Sequence, residues 1–282
     1  MKLKKLKSWA KINLSLNVIK RLPNKYHKIE SLVTFIELYD EINIKRIYEK
    51  KHKISFSGKF SKGIGKNNTV SKLMRLLDKK KLIENKKFQI NIKKNIPQKS
   101  GMGGGSMNAA SILNYLVRKK NIKINFLELK KIARLIGSDV EIGINNKVNI
   151  CKSSIYLIKK IKNIKLYIII AKPKFGCSTE AIYKSIKNYS QFDLKHNINK
   201  KFTLLDLLNL KNDLEITAIR IYPSLKVLKK NLQALPKVKF VRMTGSGSAF
   251  VAYFLSKIDA TNAYKIFRKK YKNYWSIVSK TI

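Results

Sequence analysis

Apolar and polar positions alternate along the first part of the chain. Ile12, Leu14, Leu16 and Val18 are separated by Lys11, Asn13, Ser15 and Asn17, a period of two that predicts a strand with Lys11 and Asn13 on one face. Residues 32–42 read as a further strand, or two, and residues 54–60 as another. The period then lengthens, since Val70, Leu73, Met74, Leu76 and Leu77 fall on one side of a helix. Phe88, Ile90 and Ile92 alternate with Gln89, Asn91 and Lys93, and a second helix follows with Ala109, Ile112, Leu113, Leu116 and Val117 on its apolar face. Asn125 and Glu128 have the spacing of a capping box ahead of Leu129, Ile132, Ala133 and Ile136, and Gly137 ends that helix. The apolar run over residues 166–171 predicts a buried strand that stops before Pro173. Helices are expected over residues 179–186, 204–210 and 214–232, the last broken at Pro223. A strand, a glycine turn and a strand are expected within residues 238–254, then a helix over 260–271 and a short strand at 275–278. No internal repeat or low-complexity linker is visible, and the softest division, near Pro173, gives expected domains of residues 1–172 and 173–282.

Between the strand ending near Ile92 and the helix that follows lie Pro97, Gly101, Met102, Gly103, Gly104, Gly105, Ser106 and Asn108. Glycine permits positive φ and close approach of another molecule, and a helix start offers unpaired N–H groups and a positive dipole end. Such a run is either a plain turn or a place to hold phosphate. Two common phosphate signatures fail here: Gly105 is followed by Ser106 and Met107, where a P-loop needs Gly-Lys-Ser/Thr, and Ser106 stands where a dinucleotide fingerprint wants glycine or alanine.

Composition adds one unusual feature. Lys and Arg number 62 against 16 Asp and Glu, a formal charge of +46 over 282 residues. Clustered cations would suit nucleic acid or an acidic membrane, but here they are spread along the whole chain. Lys, Asn and Ile crowd every segment, as an A+T-rich genome would dictate, so no specific nucleic-acid partner is expected. Cys151 and Cys177 have no Cys-x-x-Cys spacing and suggest neither a disulfide framework nor a zinc site, so no protein-held metal is expected. The basic start has no apolar run behind it and no stretch reaches membrane-spanning length, so a soluble cytoplasmic protein without a membrane partner is expected.

Six short segments in order resemble the GHMP superfamily of small-molecule kinases. Ala10-Lys11-Ile12-Asn13-Leu14 is similar to that family's opening Ala-Lys-Leu/Ile-Asn-Leu, and Tyr26-His27 to its Gly-Tyr-His. Residues 97–110 resemble its Pro-x-x-x-Gly-Leu-Gly-Gly-Gly-Ser-Ser-Asn/Asp-Ala-Ala. Ser138-Asp139-Val140 is similar to its Ala-Asp-Val-Pro, Asn212-Asp213-Leu214-Glu215 to its Asn-Asp-Leu/Cys-Glu, and Thr244-Gly245-Ser246-Gly247 to its closing Thr-Gly-Ser/Thr-Gly.

The resemblance implies an α+β, two-lobed fold, with an N-terminal half like the second domain of ribosomal protein S5 and a ferredoxin-like C-terminal half. It implies a kinase using ATP with Mg²⁺ on a small molecule, with the Tyr-His pair and glycine pattern pointing to cytidine-diphosphate-linked methylerythritol. On this reading Asp139 would take the proton of the attacking hydroxyl, with Lys11 holding it ionised and neutralising charge on the transferred group. Pro97, Gly101, Met102, Gly103, Gly104, Gly105, Ser106 and Asn108 would hold ATP. Asn13, Tyr26, His27, Thr179, Tyr183, Thr244, Gly245 and Gly247 would hold the substrate, Tyr26 and Tyr183 flanking the cytosine and His27 meeting its polar edge. A monomer or homodimer is expected. Three departures stand out: Met107 replaces the second Ser of the family's loop, Lys25 replaces a Gly and Glu141 a Pro. The glycine-rich segment usual after Asp-Val-Pro is nearly absent over residues 145–160. A kinase of another small alcohol, or a decayed kinase that binds nucleic acid through its charge, are the competing readings.

Overall fold

In a computed structural model, the first two alternating segments become two long strands paired with each other, β1 (Lys4–Arg21) and β2 (His27–Ile47). The structure describes residues 3–23, 26–84, 86–144, 150–152, 156–160, 165–191 and 202–282. Lys25 lies outside the described residues, as do residues 145–149 of the stretch that lacks the glycine-rich segment. β2 is one strand and not two, because nothing between His27 and Ile47 is a glycine or proline that would break it. β1 also departs from a half-solvated strand. Its polar members Lys11, Asn13, Ser15 and Asn17 are as buried as its apolar ones.

The chain forms two compact units, one of residues 1–10, 38–98 and 103–148, the other of residues 11–37, 99–102 and 149–282. In the first, β3 (Lys53–Ser57) runs parallel to β4 (Lys87–Lys93), which pairs antiparallel with the C-terminal half of β2 through Ile90↔Ile44 and Ile92↔Ile42. β4 buries Phe88, Ile90 and Ile92 and leaves Lys87, Gln89 and Asn91 half-exposed on its other face. Four helices belong to this unit among the described residues: α1 (Thr69–Lys79), α2 (Gly104–Arg118), α3 (Phe126–Ile136) and α4 (Ser138–Ile144). Leu73, Met74 and Leu77 of α1, Ile112, Leu113 and Leu116 of α2, and Ile132 and Ala133 of α3 pack with those strand isoleucines in one core. Asn68 caps α1 by accepting from the N–H groups of Val70 and Ser71, and Asn125 and Glu128 close the capping box on α3.

The second unit holds a four-stranded antiparallel sheet of β7 (Tyr167–Lys172), β8 (Phe240–Met243), β9 (Phe250–Phe254) and β10 (Trp275–Lys280), in the order β10-β7-β9-β8. With helices between β7 and β8 and α9 (Lys257–Lys270) between β9 and β10, this is the ferredoxin-like order. The intervening helices are α5 (Thr179–Lys184), α6 (Leu204–Asn209), α7 (Asp213–Ile221) and α8 (Ser224–Gln233). Pro223 separates the last two, as its missing N–H and fixed φ require. Ile169, Phe250, Ala252 and Phe254 from the sheet meet Leu214, Ala218, Leu225, Leu228 and Phe267 from the helices in a second core. The N-terminal half of β2 pairs with β6 (Tyr156–Lys160), itself antiparallel to β5 (Ile150–Lys152). The whole is a mixed α+β fold with two sheets.

Candidate active site

In the second unit, β1 carries Lys11 and Asn13 two residues apart, and their side chains meet. The Lys11 ammonium donates to Asn13 Oδ1 at 2.8 Å, with both residues only 4% exposed. Asn13 Oδ1 also accepts from Gly245 N at 3.0 Å, and the Asn13 backbone N–H donates to Thr244 Oγ1 at 3.1 Å. Its Nδ2 donates to Ser31 Oγ at 2.8 Å. Asn13 thus fixes the turn between β8 and β9 against β1, and its amide has one orientation because every polar atom is matched.

That turn also closes on the start of the glycine run. Gly101 has φ +75° and Gly245 φ +53°, both left-handed, and a Cβ on Gly245 would lie 2.8 Å from Gly101 O. Thr244 Oγ1 sits 3.3 Å from the same oxygen. Only residues without a Cβ let two backbones approach this closely. Lys11 N donates to Met102 O at 3.2 Å, so β1, residues 101–102 and the Thr244 turn form one buried assembly. Asn212 supports it from behind, its Nδ2 donating at 2.8 Å to both Met243 O and Gly245 O. Glu215 accepts from Met243 N and Asp213 from Val18 N. The Asn-Asp-Leu-Glu motif is therefore a brace of side chains on backbone, a role that its sequence, a helix cap followed by acids, did not reveal.

The remainder of the glycine run belongs to the first unit. Gly103, at φ +69°, is the residue before α2, and the helix begins at Gly104, earlier than the apolar stripe from Ala109 suggests. No side chain caps this end. The N–H groups of Gly104, Gly105 and Ser106 are therefore turned outward from the first turn, and Gly105 is exposed. Met107 is 2% exposed and packs on Gly143 of α4, where an added Cβ would meet its Sδ at 3.2 Å. The hydroxyl that the family carries at this position is replaced by a core side chain. Asn108 is 1% exposed and its Nδ2 donates to Asp40 Oδ2 at 3.1 Å.

Asp139 lies half-buried in the first turn of α4, directly after Gly137. Two residues on, Glu141 is buried and paired bidentately with Arg134 of α3, at 2.7 and 3.0 Å. Glu141 is thus a strut between α3 and α4, and this explains why a carboxylate stands where the family has proline.

Of the substrate residues named from sequence, His27 and Tyr183 have ring centroids 5.2 Å apart, and Tyr189 joins them at 6.3 Å from His27. Burial, and after it the Arg21 guanidinium, hold His27 below the ordinary imidazole value, so it is neutral near pH 7. Tyr26 is 63% exposed beside it, an aromatic face turned to solvent. Thr179, at the start of α5, shares a 2.7 Å hydrogen bond with Ser246, which ties it to the Thr244 turn. Gly247, at φ +83°, completes that turn. A cavity of about 840 Å³ in this unit is walled by Tyr189, Glu215, Lys229 and Arg242 and is lined by none of the substrate residues named from sequence. Sequence reasoning missed Ser31, Asp40, Lys94 and Tyr189, which carry no local signal and matter only through partners far along the chain. Among the described residues no three His, Cys, Asp or Glu side chains group as a metal cage, and no helix is long and apolar enough to cross a membrane.

Within the second unit, a buried Lys-Asn pair lies beside two left-handed glycine turns, and within the first, Gly103 opens a helix whose N-terminus no side chain caps. The family model for the GHMP kinases N terminal domain matches residues 68–153, and that for the GHMP kinases C terminal matches residues 196–273. The chain belongs to the GHMP kinases. It is 52% identical to the 4-diphosphocytidyl-2-C-methyl-D-erythritol kinase of Pelagibacter ubique over 99% of both chains. It is 31% identical to the kinase of that name from Caldicellulosiruptor bescii, over 94% of this chain and 96% of the relative. A crystal structure of 4-(cytidine 5'-diphospho)-2C-methyl-D-erythritol kinase superposes with a TM-score of 0.76 at 22% identity, covering 99% of both chains. Homoserine kinase from Cytophaga hutchinsonii gives 0.69 at 16% identity, over 100% of this chain and 95% of that one. Within the GHMP kinases, the chain belongs to the 4-diphosphocytidyl-2-C-methyl-D-erythritol kinase family.

Proposed function

We propose that the protein transfers the γ-phosphoryl group of ATP to the C2 hydroxyl of 4-diphosphocytidyl-2-C-methyl-D-erythritol, a step towards isoprenoid precursors by the non-mevalonate route. The observation that carries this reading is the 52% identity over 99% of both chains to the Pelagibacter ubique kinase. The relatives favour neither another small alcohol nor nucleic acid as the partner. The reaction belongs in the cytoplasm.

Phosphoryl transfer needs positioning and charge stabilisation more than covalent chemistry from the protein. In this proposal Asp139 accepts the proton of the attacking hydroxyl, and the Lys11 ammonium, aimed by Asn13, offsets charge on the transferred group. The loop from Pro97 to Asn108 holds the nucleotide, with the outward N–H groups of Gly104, Gly105 and Ser106 meeting phosphate oxygens. ATP would arrive as its Mg²⁺ complex, and the ion would supply positive charge to offset that of the phosphates during transfer. Tyr26 and Tyr183 flank the cytosine and neutral His27 hydrogen-bonds its edge. Thr179, Thr244, Gly245 and Gly247 line the alcohol side. A coupled assay of ADP release with ATP-Mg²⁺, with and without the cytidine-diphosphate-linked alcohol, tests the reading. Substrate-dependent ADP release is expected, and a folded preparation that releases none overturns it.

A further inference from the structure

Asp40 lies on β2, far in sequence from the glycine run, and is fully buried. Its carboxylate has four donors. Oδ1 accepts from the backbone N–H groups of Asn95 at 2.8 Å and Ile96 at 2.9 Å, immediately before Pro97. Oδ2 accepts from the Lys94 ammonium and from Asn108 Nδ2, in the second turn of α2. One carboxylate therefore grips both stems of the loop, the chain leaving β4 and the helix into which the loop runs. Close by, Gly104 is packed so tightly that an added Cβ would lie 3.1 Å from Ile96 Cγ2 and 3.3 Å from Lys94 Nζ. The first turn of the helix and the strand exit are thus in van der Waals contact at the point where Asp40 joins them.

A buried ion pair is a costly way to fill space, since apolar residues of the same volume serve stability as well or better. What an apolar residue lacks is direction. A carboxylate with all its lone pairs engaged fixes the distance and angle between the groups that it binds. We propose that Asp40 is a positioning residue for the nucleotide: by clamping residues 94–96 to Asn108 it sets the orientation in which the N–H groups at the start of α2 face the phosphates of ATP. The inference rests on the assignment of residues 97–108 to ATP.

Asp40→Asn tests it. The amide still has one oxygen for Asn95 and Ile96, but its NH₂ faces two donors, Lys94 and Asn108, so both of those bonds are lost and the helix stem is released while the backbone at 95–96 stays held. Steady-state kinetics should show KM for ATP raised about tenfold or more, with KM for the alcohol changed less than about twofold. Calorimetric affinity for a non-hydrolysable ATP analogue should fall in parallel, while urea unfolding stays cooperative. Adding Asn108→Asp restores an acceptor opposite the new NH₂ and should recover part of the lost affinity. Should Asp40→Asn fail to fold, Asp40→Glu keeps the charge, lengthens the link by a methylene and should give the same split. The inference is overturned if ATP affinity is unchanged, or if both KM values and kcat move together with the folded fraction. Gly103→Val separates the two claims, because a β-branched residue resists φ +69° at the helix start. If that variant binds the analogue normally, the loop assignment fails; if it does not bind while Asp40→Asn does, the role of Asp40 fails alone.

Discussion

A methyl group on Gly101 would lie 1.9 Å from the carbonyl oxygen of Thr244. The two backbones are in contact, and Gly101 takes a φ of +75° to allow it. Gly101→Ala therefore combines left-handed strain with a steric clash that no rotamer relieves. It should lower unfolding stability by at least about 2 kcal/mol in urea titration and reduce turnover at 25 °C by about 100-fold or more. Wild-type turnover in the alanine variant would show that the contact is dispensable.

Asp139→Asn and Lys11→Met separate chemistry from binding. Loss of a positioned base or of a charge-neutralising cation should cut kcat by about 10²–10⁴, with affinity for ATP within a few-fold of the parent. Single-turnover kinetics and calorimetry measure the two quantities independently. A variant that lost affinity and rate equally would assign Asp139 to binding.

Met107 is a core residue that replaces a family hydroxyl. Its side chain fills the space over Gly143, so Met107→Ser should cost about 2–4 kcal/mol through the cavity it leaves. No gain in kcat is expected. A serine variant that was both as stable and faster would show that the methionine is a defect.

His27 makes stability depend on pH. Its folded value is held below the ordinary 6.5 by burial and by Arg21, so the unfolded chain binds the proton more readily. Stability is then full above about pH 6.5 and declines as pH falls through the folded value. His52 shifts in the same direction, again through burial, with Asp78 opposing. Urea midpoints measured from pH 7.5 down to 5 should fall in the wild type and fall less steeply in His27→Gln. Identical slopes would remove His27 as a source of acid sensitivity.

Elements whose signal is local were legible in the sequence. β4, α1, the capping box at Asn125 and the division of α7 from α8 at Pro223 follow from period, cap and breaker alone. The Lys11-Asn13 spacing also survived, since a strand puts alternate residues on one face. What the sequence could not show was burial on that polar face. Ser31 and Gly245 satisfy Asn13 from distant segments, and nothing near residue 13 marks them. Glu141 read as a departure from the family until Arg134 supplied its partner. Asp40 looked like one more polar residue on a strand, because its four donors come from residues 94–108.

The alternation in β4, isoleucine inward and lysine or asparagine outward, has a genetic reading. Every isoleucine codon has T at its middle base, and exchanging that T for A yields asparagine or lysine. A pleated strand with one dry face can therefore be written in this lineage by switching a single base at alternate codons. The same closeness makes the cores vulnerable, because each of Ile42, Ile44, Ile90 and Ile92 stands one transversion from a buried amide or ammonium.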